Sequence, residues 1–171
     1  MAVNSADSAL HVLGVDLEAN DASALHEVGL VVDTKNGRAV YAKAGTGAFA
    51  VGALSLVAPS SATATQSVVA TLVSTGNVNS APGFFAFNQA SIAAAQYGWF
   101  YTEGRQGVRV KTLIAAQPWV PLYTTATGGV LDDAIVSAGR IEGVRVLTSA
   151  TSASAPAATF ANITHLVQDI A

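Results

Sequence analysis

The chain has 171 residues, a formal net charge of −3 and no cysteine, and 11% of it is charged where about a quarter is usual. Its eight lysines and arginines are dispersed, so the basic footprint of a nucleic-acid binder is absent. Without cysteine there is no disulfide framework and no thiolate chemistry, which is compatible with an intracellular origin.

Valine and isoleucine number 27 against 14 for leucine and methionine, a balance that favours strands over helices. A single domain over 1–171 is expected, long enough to bury roughly 70% of its unfolded surface without a staple. Residues 1–10 are small and polar and read as a flexible arm, with neither the basic nor the apolar region of a signal peptide. His11 to Leu17 suits a first strand. Asn20 to Glu27 reads either as a helical turn capped by Asn20 or Asp21 or as an irregular connection.

A β core is expected over 28–148. Gly29 to Asp33 and Arg38 to Lys43 flank Asn36-Gly37, a strong hairpin signal. Ala48 to Val57 is a further strand or pair of strands, with Gly52 at a bend. The apolar run from Ala48 to Ala58 is about half a membrane span, so a soluble protein is expected. Pro59 to Gln66 and Ser74 to Gly83 read as loops, Val68 to Val73 as a strand, and Gln89 to Ala95 as one or two helical turns.

The most informative stretch is Gln96 to Asp133, which holds both tryptophans and three of the four tyrosines. It reads as four short strands. Tyr97 to Tyr101 is aromatic, Glu103 to Gly107 is a loop, and Val108 to Leu113 alternates. Pro118 and Pro121 forbid a helix around Trp119-Val120, and Leu122 to Leu131 makes a hairpin through Ala126-Thr127-Gly128-Gly129. Residues 149–171 form a C-terminal extension. Within it Phe160, Ile163, Leu166 and Val167 admit an amphipathic helix, while Ile163 and His165 also fit an edge strand.

No catalytic constellation stands out. His11, His26 and His165 are far apart in sequence, and a metal needs several convergent donors. Asp132-Asp133 is the one acidic pair and suits a solvated corner, short of the oxygen ligands a calcium ion takes. Gly45-Thr46-Gly47 lacks the Lys-Ser/Thr ending of a phosphate loop, and no Gly-x-Ser-x-Gly elbow occurs. Asn162-Ile163-Thr164 is a formal glycosylation sequon, meaningful only in a secreted eukaryotic protein. No enzyme, cofactor or metal site is expected. Tyr97, Trp99 and Tyr101 share one face of a strand, so a carbohydrate-stacking platform is the alternative to burial in a core or interface.

Several segments together resemble the small head decoration, or cement, proteins of tailed bacteriophages, particularly those of marine phages. They are Val28 to Val31, Asn36 to Ala44, Gly45 to Gly52, Gln96 to Phe100, Val120 to Asp133 and Ile141 to Val144. The likeness runs from about His26 to Thr148, and its most specific pieces are Tyr97-Gly98-Trp99 and Pro121 to Gly129. The resemblance implies a structural protein on the outer capsid surface of the virion, made in the host cytoplasm. It also implies the major capsid protein as partner, a homotrimer, and stabilisation of the expanded head, with no role for nucleic acid or membrane. The interface or structural candidates are Tyr97, Gly98, Trp99, Trp119, Pro121, Tyr123, Gly128 and Gly129. Gly143 joins Gly98, Gly128 and Gly129 as a backbone position. The expected fold is mainly β, a small barrel or sandwich with β-tulip or SH3-like elements, short helical turns and extended arms. The alternative function is a carbohydrate-binding or host-surface adhesion module of a virion.

Overall fold

A computed structural model of the chain describes residues 11–12, 15–34, 36–59, 68–78, 83–113, 116–137, 139–148 and 157–168; at 11, 12, 15, 105–107 and 157–168 it describes the backbone alone. Its described residues form strands and turns. β1 (His11–Val12) and β2 (Val15–Asp16) make a two-stranded ribbon. The remaining strands belong to one sheet. They are β3 (Asn20–Asp21), β4 (Val31–Thr34), β5 (Gly37–Ala44), β6 (Leu54–Pro59), β7 (Val68–Leu72), β8 (Phe84–Asn88), β9 (Tyr97–Thr112), β10 (Leu122–Thr124), β11 (Leu131–Asp132), β12 (Arg140–Val146) and β13 (Ala157–Gln168).

β9 is the spine. At 16 residues it is about 50 Å long at the usual rise, enough to serve two sheets. Its first half pairs with β5, from Gly37 opposite Gly104 to Lys43 opposite Tyr97, and with β8. From there the ladder runs β8 to β6, β6 to β7, and β7 parallel to the end of β5. These five strands close a small barrel. The second half of β9 pairs with β13, which pairs with β12, then β10 and β11. That sheet curls as a half-barrel until Leu131 of β11 comes level with Thr112 of β9.

The alanine-rich composition follows from the barrel. Five strands enclose less space than the eight whose interior side chains just fill, so the inward positions must be small. Ala42, Ala44, Ala70 and Ala86 point in, with Val40, Val57 and Phe100 filling the wider places. Ser55, fully buried, satisfies its hydroxyl on Ala86 O at 2.9 Å. Phe49 and Ile92, from the β5–β6 and β8–β9 connections, exchange backbone hydrogen bonds and belong to this interior core. Phe49 meets Phe100 edge-on at 5.5 Å, and one end of the barrel is stoppered. The opposite residues of the same strands, Tyr41, Leu54, Leu56, Phe87, Trp99 and Tyr101, join Val108, Val110, Leu122, Ile141 and Val144 in a second core.

The mainly β character, the barrel and the Asn36-Gly37 hairpin (Thr34 opposite Gly37) agree with expectation, but the short helical turns do not: no helix occurs among the described residues. Asn20–Asp21 pairs with Tyr97–Gly98 instead of capping a turn, because Asp21 is held by a tyrosine from β5. Gln89 to Ala95 is bent so that Ile92 can enter the barrel, and Ala95 sits at φ 61°, outside helical geometry. Over 157–168 the strand displaces the amphipathic helix, since β9 and β12 each offer an edge whose backbone groups need partners. The loop expected at Glu103 to Gly107 is also strand. Gly104 faces both Gly37 and Ile163, and a Cβ there would collide with Val108. The N-terminal arm, 1–10, lies outside the described residues, as do 149–156 and 169–171 of the extension.

Candidate functional site

Tyr97 and Trp99 belong to an aromatic cluster built where β9 runs beside β5. Tyr41 lies opposite Trp99 in the ladder, with ring centroids 5.0 Å apart. Tyr97 stacks on Tyr41 at 6.1 Å and 16°, and Lys43 Nζ sits 5.7 Å from the Tyr97 centroid. His26 closes the top, 5.1 Å from Tyr41 and 5.4 Å from Trp99. The Tyr41 hydroxyl donates to Asp21 Oδ2 at 2.6 Å and accepts the Leu25 N–H at 3.2 Å. Burial, reinforced by the bond to the Asp21 carboxylate, pushes this phenol up to about 12.

Strand parity does place Tyr97, Trp99 and Tyr101 on one face, yet Trp99 is 1% and Tyr101 0% exposed. The three rings therefore form no open stacking platform. Gly98 faces the barrel interior, where a Cβ would stand 2.5 Å from Ile92 Cδ1; its role is to admit the stopper.

Gly128 and Gly129 join the two halves of the molecule. Gly129 adopts φ 77°, donates to Val73 O at 2.7 Å and accepts from Leu54 N at 2.9 Å. A Cβ there would lie 2.8 Å from both Ala53 and Leu72. Gly128 stands over Leu72 in the same way. Tyr123, half-buried in β10, lies opposite Asp132 on one side and Arg140 on the other, and Pro121 is half-buried before it. Asp132 Oδ1 accepts the Asp133 N–H at 2.9 Å, and Asp133 Oδ2 accepts the Gln117 N–H at 3.0 Å. Burial, with Asp133 alongside, raises the Asp132 carboxyl. Among the described residues no group of three or more His, Asp or Glu is placed to hold a metal.

Two exposed apolar features remain. The first is a knob. Trp119 is 63% exposed and holds the left-handed φ of 67°, a conformation that costs a non-glycine residue about 1–3 kcal/mol and persists only where the surroundings impose it. They do so through Pro118, Pro121 and a bond from Trp119 N to Val146 O at 3.1 Å. The Gln117–Asp133 bond brings this turn beside the loop carrying Ile135, 84% exposed.

The second feature is a groove of about 300 Å³ at the end of the barrel away from the stopper. It exists because β5 divides its edge: residues 37–40 pair with β4, whereas 43–44 pair with β7. Where the partners part, Val31, Val40, Phe84 and Phe85 line an apolar trough. Its rim is Thr102, Glu103 and Arg38. Arg38 bridges Asp33 at 2.8 Å and Glu103 at 3.9 Å.

The groove is only faintly marked in the sequence, and the Asp21–His26–Tyr41 part of the aromatic cluster not at all. Phe84-Phe85-Ala86-Phe87 hints at the first, because three aromatics in four positions cannot all face one core. Of the interface candidates, Trp119 is the one left most open to solvent. No protein-family model matches the chain, and no curated protein matches its sequence.

Proposed function

We propose that the protein is a virion structural protein, a capsid decoration or cement protein that binds the major capsid protein on the outer face of the mature head and stabilises it as a homotrimer. The observation that carries this reading is the set of large apolar side chains left at the surface of a chain with few charges. Leu25, Val31, Phe84, Trp119 and Ile135 are between 42% and 84% exposed. Val31 and Phe84 share one trough, Trp119 stands on the turn tied beside the Ile135 loop, and exposed apolar patches mark interaction sites. The resemblance of Tyr97-Gly98-Trp99 and Pro121 to Gly129 to phage head decoration proteins supplies the partner. Three footings on a shell would let each contact be weak and the whole tight, through effective concentration. Contacts of this kind depend little on salt, in contrast to phosphate binding.

Purified protein added to expanded, undecorated heads of its own phage should saturate at a fixed stoichiometry and raise the temperature at which they rupture. Failure to co-sediment with such heads at any concentration overturns the reading.

A further inference from the structure

We propose that the molecule assembles head to tail with copies of itself, the Trp119 knob of one copy seating in the Val31–Phe84 groove of the next. This deepens the trimer part of the proposed function and rests on that reading for its biological setting, but not for its chemistry.

The knob and the groove are complementary in size and polarity. A groove of about 300 Å³ lies at the small end of ligand pockets and has room for one large side chain. Its walls are aliphatic and aromatic. Its rim holds the Glu103 carboxylate and the Thr102 hydroxyl beside the Arg38 guanidinium, whose closer ion pair is with Asp33, so Glu103 keeps acceptor capacity to offer. Indole matches this pairing, with a broad apolar face and a single N–H that can only donate. The Arg38 guanidinium beside the groove is also placed to lie against an aromatic ring.

Trp119 does not fill its own groove, since it is 63% exposed. Its anchor, Val146, stands two strands across from Val108, itself five residues along β9 from Glu103. One copy therefore presents knob and groove at separate places. A contact between two different patches generates either a closed ring or an open filament, and closure by three gives a trimer. The left-handed Trp119 then has a use: its φ holds the indole out, with the turn already rigid before docking.

The experiment uses the full chain and three variants, Trp119→Gly, Phe84→Asp and Val31→Asp, by sedimentation velocity, with far-ultraviolet dichroism and burial of Trp99 confirming that each folds. The unaltered protein should form one closed species, with Trp119 emission shifting to the blue as concentration rises. Each variant alone should be monomeric. An equimolar mixture of Trp119→Gly, which keeps the groove, and Phe84→Asp, which keeps the knob, should recover association and stop at a pair. The proposal is overturned if the unaltered protein stays monomeric, if its oligomer survives Trp119→Gly, or if the mixture fails to associate. A monomer that still binds and stabilises heads sinks this inference and the homotrimer with it, and leaves head decoration standing. A ring that never binds heads sinks the decoration reading alone.

Discussion

The Tyr41 hydroxyl shows how much a single atom can organise. It donates to Asp21 and accepts from Leu25, tying the chain before β4 to the barrel wall, while its ring supports Trp99 and Tyr97. Tyr41→Phe should keep the packing and lose about 1–3 kcal/mol in urea denaturation, the usual loss when a buried bond to a charged partner goes. Because the folded phenol is raised to about 12 from 10.0, its contribution is fully present below pH 10 and is lost as the pH rises through about 12. The phenylalanine variant should lack that part of the alkaline decline. Asp132 works in the opposite sense. Its raised carboxyl means the charged form is disfavoured on folding, a penalty absent below the ordinary value of 3.8 and complete above the raised one. Asp132→Asn keeps an oxygen for the Asp133 N–H, so at pH 7 it should match or slightly exceed the parent, within ~0.5 kcal/mol, and the difference should vanish in acid. At Trp119 the strain predicts a trade. Trp119→Gly should raise the stability of the single subunit by about 1 kcal/mol, because glycine adopts φ 67° freely, measured by the thermal midpoint at protein concentrations where the parent is dissociated as well.

Between elements, the joint that matters most is made by a side chain acting as backbone. Gln89, 4% exposed, accepts the Arg109 N–H at 2.7 Å and donates to Arg109 O at 3.2 Å, just as a paired strand residue would. Beside it Lys111 N donates to Gly52 O at 2.6 Å. Together these pin the end of β8 and the approach to β6 against the second half of β9. Gln89→Leu fits the space but leaves the Arg109 groups unpaired, so it should cost about 1–3 kcal/mol for each group orphaned. Hydrogen exchange would locate the loss, with faster exchange at Arg109 and Lys111. A leucine variant as stable as the parent would show that the joint is held by packing alone.

For the whole molecule, one strand serves both sheets, so neither can be finished without the other. Unfolding followed by Trp99 emission and by far-ultraviolet dichroism should coincide in a single transition; two separated transitions would mean that barrel and half-barrel stand independently. Much of the architecture was legible beforehand. The valine and isoleucine excess determined the β class, Asn36-Gly37 its first long hairpin, and the alternation about Trp99 the face that ring shares with Tyr97 and Tyr101, because propensity and parity are local properties of the chain. Local pattern also misled, and for a common reason. Gln89 to Ala95 reads as helical turns, and the spacing of Phe160, Ile163, Leu166 and Val167 admits a helix as well as a strand, yet the first was bent to deliver Ile92 into the barrel and the second was captured between two open strand edges. Only the tertiary structure decided those outcomes, along with the closure through β7 and the division of the β5 edge that opens the groove. Each is a pairing between segments far apart in sequence, where the hydrogen-bond demand of a distant backbone outweighs the preference of the nearby one.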